Sequence, residues 1–240
     1  MNIDAIAALK ERKLYEICLS IDLETPNNCE SGIFSIGIVP FSVITGECFP
    51  DAGLYVKADF REVLNNAAKA GSQIGDTMAW WMEQSEAARF ELLGITGMNP
   101  KGKPLYEKHG TQKDLIDKTI EYLNLIADCL QTNGRLRPLG NSDLFDIGIF
   151  ENTVRSVGYS TEVLPYKFWD TIDLRTAVYL ANICSGKVVK KLRQREGTHH
   201  NALDDAFMQA LWFLDSVLHL GGLKEVKIVN LVTTEETEAN

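Results

Sequence analysis

The sequence has no apolar run that reaches the ~18 residues of a membrane span. It has no basic excess either. Its 24 Lys and Arg stand against 33 Asp and Glu, a net charge of −9. That excludes a chain that holds nucleic acid through its overall field. It leaves room for carboxylates that hold a hard cation, because such groups add negative charge themselves. Cysteine is sparse and unpatterned: Cys18, Cys29, Cys48, Cys129 and Cys184 are an odd set without a CxxC. A disulfide framework and structural zinc are disfavoured, and a reducing, cytoplasmic compartment fits. The start, "MNIDAIAALKERK", lacks a basic region ahead of an apolar core. It reads as a short amphipathic helix and not as a secretory signal. No internal repeat or linker is visible.

What is there is an ordinary globular composition, 45% hydrophobic and 24% charged over 240 residues, which favours one domain. "LYEICLSIDL" (14–23) reads as a strand, with Ile17, Leu19 and Ile21 alternating against Cys18, Ser20 and Asp22. "GIFSIGIVPF" (32–41) reads as a second strand and 47–57 as a third, with Gly46 in the turn between them. Residues 60–94 read as helices broken at "AGSQIGDT", with Asp76 or Thr77 as a cap. Residues 95–110 read as loop. A long amphipathic helix starts at Thr111 or Asp114, and "RLRPLGN" is a short strand. "LFDIGIFENTVRSVG" is a helix ended by Gly158, and "YKFWDTID" is extended. "LRTAVYLANI" and the segment from "HHNALDDA" to about Leu220 are helical. The expectation is an α/β fold, a central mixed sheet flanked by helices. One domain spans 1–222, with a helical insertion around 60–110, and 223–240 form a tail ending in "VTTEETEAN".

Asp22 and Glu24 stand two apart at a strand end, so both point to one face. Two such carboxylates repel unless a cation sits between them, although a strand-end pair facing water is the ordinary alternative. Asp146 lies in the first turn of a helix among Phe145, Ile147 and Ile149, a costly place for an unpaired charge. The helix dipole favours an aspartate there in any case, and Asp143 is the competing residue. "HHNALDDA" offers two His–Asp pairs, His199 with Asp204 and His200 with Asp205, and Asn201 or Asp204 is also a natural cap.

Taken in chain order, Asp-x-Glu, a helix-start Asp and His-x₄-Asp resemble the DEDDh 3′–5′ exonucleases. Those enzymes share a ribonuclease H-like fold. "DTMAWWMEQSEAAR" (76–89), "YKFWDTIDLRT" (166–176) and "HHNALDDAFMQA" (199–210) are further similar to phage exonuclease A and its bacterial 3′–5′ exoribonuclease-like relatives. The resemblance implies two divalent ions, Mg²⁺ or Mn²⁺, held by Asp22, Glu24, Asp146 and Asp205. It implies His200 as general base. The frame H-x-A-L-x-D-A fits His200 and Asp205 and fails for His199 and Asp204. Tyr166 and Asp170 have the spacing of a tyrosine variant, but "LPYKFWD" reads as extended chain where that variant wants a helix.

The substrate implied is the 3′ end of a single-stranded nucleic acid. The phage likeness leans towards DNA, and RNA trimming is the second reading. A homodimer is compatible with the sequence. "KVVKKLRQR" (187–195) is the strongest local basic patch. Lys190, Lys191, Arg193 and Arg195 are its candidates for the phosphate backbone, against a solvated helix face. Thr25 and Asn141 are further substrate candidates. Trp80, Trp81 and Trp169 offer faces for bases, and at least one of the Trp80–Trp81 pair is expected in the core. Arg175 reads as a solvated charge and Asp173 as a helix cap.

Overall fold

The computed structural model describes residues 1–27 and 31–232. Cys29 and residues 233–240 of the expected tail lie outside the described residues. The N-terminal segment forms helix α1 (Ile3–Glu11), capped by Asn2, whose side chain accepts the Ala5 N–H at 3.1 Å. Strand β1 (Leu14–Glu24) is the centre of a seven-stranded mixed sheet. It pairs antiparallel with β2 (Ser35–Ser42) on one side. Its first half is parallel with β7 (Leu130–Gly140) on the other, up to Ile21 opposite Gly140.

Side-chain alternation sorts β1 between two cores. Ile17, Leu19, Ile21 and Leu23 join α1, α5 (Gln112–Ala127) and α6 (Asp143–Ser156) in one. Cys18 joins α7 (Leu174–Ser185) and α8 (Ala202–His219) in the other. Asp22 and Glu24 share the parity of Cys18, so they rise from the face that α8 covers. At Asp22 the partner on β2 is Gly37. A Cβ on Gly37 would stand 2.1 Å from the Ala202 carbonyl oxygen, so only glycine lets α8 start this close to the sheet.

The predicted strand 47–57 is split. Pro50, which cannot donate to a ladder, opens a 3₁₀ turn at Pro50–Ala52. The turn separates β3 (Glu47–Cys48) from β4 (Leu54–Lys57), and both pair with β2. Gly46 has φ +73° in the turn before β3, as the sequence suggests. The helical stretch is α2 (Phe60–Lys69), α3 (Gly75–Glu83) and α4 (Glu86–Leu93). Asp59 and Ser85 cap α2 and α4 through their side chains. α3 departs from expectation: its cap is Ile74, and Asp76 and Thr77 lie inside the helix.

Residues 95–110 are not plain loop. They hold a hairpin, β5 (Ile95–Met98) with β6 (Pro104–Tyr106). Asn99 closes it, its side chain accepting the N–H of Lys101 at 2.9 Å and of Lys103 at 3.0 Å. Thr111 and Asp114 form a reciprocal capping box on α5. Strand β8 (Ile172–Asp173) extends the sheet beyond β7, and Asp173 caps α7 by accepting the Thr176 N–H at 2.7 Å. The basic stretch forms only a 3₁₀ turn at Val189–Lys191, not a helix face. Within the expected tail, β9 (Lys227–Ile228) pairs with β3 at the sheet edge, and the Leu231 and Val232 N–H groups donate to Asp51.

Candidate active site

Three chain ends converge. β1 ends at Asp22 and Glu24 beside the end of β7, which runs directly into the start of α6 and Asp146. The Gly37 contact lays the start of α8, with Asp205, over them. The result is a cavity of about 650 Å³ lined by Asp22, Glu24, Thr25, Asn141, His200 and Asp205, among others. Asp146 is not among the lining residues; it is buried next to them at 3% exposure, its charge felt by Asp22 and its carboxylate accepting the Ser142 N–H at 3.1 Å.

Burial drives the electrostatics. It pushes the Asp22 carboxyl well above the ordinary range, and the charges of Asp146 and Asp205 add to it. A 2.5 Å hydrogen bond from Gln209 Nε2 and the nearby Arg195 oppose the rise. Glu24 is raised by burial first, then by Asp22, Asp205 and Asp146. Asp146 is pushed up to about 7, again by burial, against the pull of backbone N–H groups at Ser142 and Asn141. Three raised carboxyls, Asp22, Glu24 and Asp146, stand near Asp205, an arrangement that a bound cation would relieve. Glu24, His200 and Asp205 each offer a ligand atom, all within 4.8 Å of one another. Carboxylate oxygens of this density suit a hard divalent ion, so the residues present fit the metals that the acidic motif implies.

The "HHNALDDA" stretch divides its doublets. Asn201 caps α8, accepting the N–H groups of Leu203 and Asp204, each at 3.1 Å. Asp204 turns away and accepts the Thr198 N–H at 2.7 Å. Asp205 turns inward: one oxygen accepts the His200 N–H at 2.9 Å, and the other pairs with the Arg195 guanidinium. His200 adopts φ +65°, a left-handed conformation uncommon outside glycine. Its ring stands edge-on to Trp80, with centroids 4.9 Å apart, and to Trp81, at 5.5 Å. Burial, and next the neighbouring His199, lower the His200 pKa, which keeps the imidazole neutral at physiological pH.

Residues 18–216 match the family model of the 3′–5′ exoribonuclease Rv2179c-like domain. The chain belongs to this family. It is a 3′–5′ exonuclease. Among solved structures it is similar to cell-death related nuclease 4 (CRN-4), with 12% identity and a TM-score of 0.53. That likeness covers 87% of this chain and 66% of that one. It is also similar to the nuclease domain of 3′hExo, a DEDDh family member bound to rAMP. There the identity is 13% over 85% of this chain and 92% of that one, with a TM-score of 0.46. No curated protein matches the chain. The fold is ribonuclease H-like, a mixed sheet between helices.

In this exonuclease, Asp22, Glu24, Thr25, Asn141, Lys190, Arg195, His200 and Asp205 line one cavity. Lys190 Nζ donates to Asn141 Oδ1 at 3.3 Å and lies 4.7 Å over the Trp212 ring. The Thr25 hydroxyl donates to the Asn27 carbonyl at 2.6 Å. Lys191 and Arg193 are not brought into the cavity. Arg193 is held by Asp215 through two 2.8 Å bonds, and Lys191 faces solvent. Tyr166 is buried outside any helix, and Asp170 sits in a 3₁₀ turn 3.9 Å from Arg137, so neither reaches the site.

Arg175, expected as a solvated charge, lines the cavity, as do Asp76, Thr77, Gln209 and Trp212. Gln209 carried a signal that sequence reasoning passed over. It is a polar residue four positions after Asp205, on the same helix face, with only the apolar Ala206, Phe207 and Met208 between them. Of the tryptophan pair, Trp81 is core at 1% exposure and Trp80 is 44% exposed. Trp169 is 64% exposed and meets Phe168 edge-on, outside the cavity.

Proposed function

We propose that the exonuclease removes single nucleotides from the 3′ end of single-stranded nucleic acid, with His200 as general base and two divalent ions held by Asp22, Glu24, Asp146 and Asp205. The observation that carries this reading is the meeting of Asp22, Glu24 and Asp205 with His200 in one cavity, with Asp146 buried near Asp22. The ions, when bound, supply a more acidic attacking water and neutralise charge on the leaving oxygen. His200 accepts the proton of that water as its oxygen bonds to phosphorus. The P–O3′ bond breaks, and a nucleoside 5′-monophosphate leaves from a chain shortened by one. Asp205 ties the His200 backbone in place, while Trp80 and Trp81 hold the ring from the side. Lys190 and Arg195 bring positive charge to the phosphate, and the exposed Trp80 offers a face to the terminal base.

In this reading residues 1–222 are the exonuclease domain, and the 60–110 insertion supplies one wall of the site through α3. RNA is the substrate that the family description favours; DNA, favoured by the phage-like segments, is the second reading. The test uses RNA and DNA oligomers labelled at either end, with Mg²⁺, Mn²⁺ or EDTA. The 3′ label should be released first as a mononucleotide, and EDTA should stop the reaction. Earlier release of the 5′ label, or activity that survives EDTA, would contradict the proposal. The ratio of RNA to DNA turnover decides between the two substrates.

A further inference from the structure

Gln209 is 4% exposed, yet it lines the cavity. Its Nε2 donates to Asp22 Oδ1 at 2.5 Å. Its Oε1 is buried and has no partner among the described residues. An amide retained for stability alone would have both ends satisfied, because a buried unpaired acceptor is destabilising. Here one end is left unpaired while the other holds a carboxylate of the site.

The placement follows from helix geometry. Asp205 and Gln209 are one turn apart on α8, so they share a face. Ala202, Ala206 and Ala210 keep the helix close to β1 and β2. One helix thereby contributes a carboxylate of its own and a hold on the carboxylate of β1. We propose that Gln209 is a positioning residue that fixes the Asp22 carboxylate and leaves its other oxygen for the divalent ion. The inference rests on the reading of Asp22 as a metal ligand. A neutral N–H donor suits the task. A lysine at this place would compete with the cation, and an acid would add a fifth negative charge.

The experiment is calorimetric titration of Mn²⁺ into the metal-free full chain, for wild type, Gln209→Leu and Asp22→Asn. Thermal denaturation of the same metal-free samples runs alongside. Gln209→Leu should weaken Mn²⁺ binding by ~10–100-fold, as loss of a hydrogen bond to a metal ligand does. Its metal-free Tm should change little, because the unpaired carbonyl and the bond to Asp22 Oδ1 are lost together. If Gln209→Leu does not fold, Gln209→Met serves, being unbranched and without a donor. Unchanged affinity in the Gln209 variant, with binding lost in Asp22→Asn, would overturn this inference alone. Unchanged affinity in Asp22→Asn as well would overturn the reading of Asp22 as a ligand. A metal-free Tm that falls together with affinity would make the role structural and also overturn the proposal.

Discussion

Asp146 shows how a single residue ties stability to metal. Its carboxyl holds a proton up to about pH 7 in the fold, and only up to the ordinary carboxylate range in the unfolded chain. Below the ordinary range both states carry the proton; between there and about 7 only the folded state does. Its contribution to metal-free stability is therefore full in acid and is lost as pH rises through this window. Asp146→Asn should flatten that fall and raise the metal-free Tm at pH 8, while removing the Tm gain given by Mn²⁺. Thermal denaturation with and without EDTA measures both. At His200, substitution by alanine should lower kcat ~10²–10⁴-fold, the usual range for a general base. His199→Ala should cost much less: its ring lines the cavity 3.9 Å from His200, but its frame partner Asp204 is held by the Thr198 backbone and not by the carboxylate cluster. Single-turnover kinetics at saturating Mn²⁺ compares the two. The choice between these histidines was not open to helix periodicity, because Asp204 and Asp205 both lie in the first turn of α8. In the fold Asn201 caps the helix, Asp204 accepts the Thr198 N–H and Asp205 accepts the His200 N–H.

Among the elements, β1 was the most legible. Its strict alternation fixes which residues meet each core, and so which face carries Asp22 and Glu24. Strands β3 and β9 are two residues each, too short for any period to register. The β5–β6 hairpin hides in a segment rich in Gly, Pro and Lys, where neither face is buried enough to pattern the sequence. Gln209 and Arg175 were obscured for another reason: a helix period shows that one face is apolar but not which strand it will cover. The seating of α8 depends on Gly37. Gly37→Ala should destabilise the protein by ~1–3 kcal/mol or more, as overpacking does, since the new Cβ meets backbone that cannot swing aside. Urea denaturation gives the loss, and activity should fall with it because Asp205 moves with the helix. On α3, Trp80→Ala should raise KM for oligomers, with a stacking loss of ~1–3 kcal/mol, and lower kcat as well, because the His200 ring loses one of the two side chains that hold it. Steady-state kinetics on a short oligomer separates the two parameters.

At the scale of the whole molecule, an acidic chain gathers three of its cations at one cavity. The net charge of −9 would repel a polyanion at a distance. Lys190, Arg175 and Arg195 stand around the cavity to offset it. The basic stretch that looked like one patch in the sequence is divided by the fold: Lys190 and Arg195 go to the cavity, and Arg193 goes to Asp215. The Asp22, Glu24, Asp146 and Asp205 cluster is proposed as the divalent metal site at which 3′ ends are cut. Anomalous diffraction from a crystal grown with Mn²⁺ and a nucleoside 5′-monophosphate tests it most directly. Two anomalous peaks are expected in contact with these carboxylates, with the product phosphate beside His200. Well-ordered carboxylates without an anomalous peak, or peaks bound elsewhere on the chain, would contradict it.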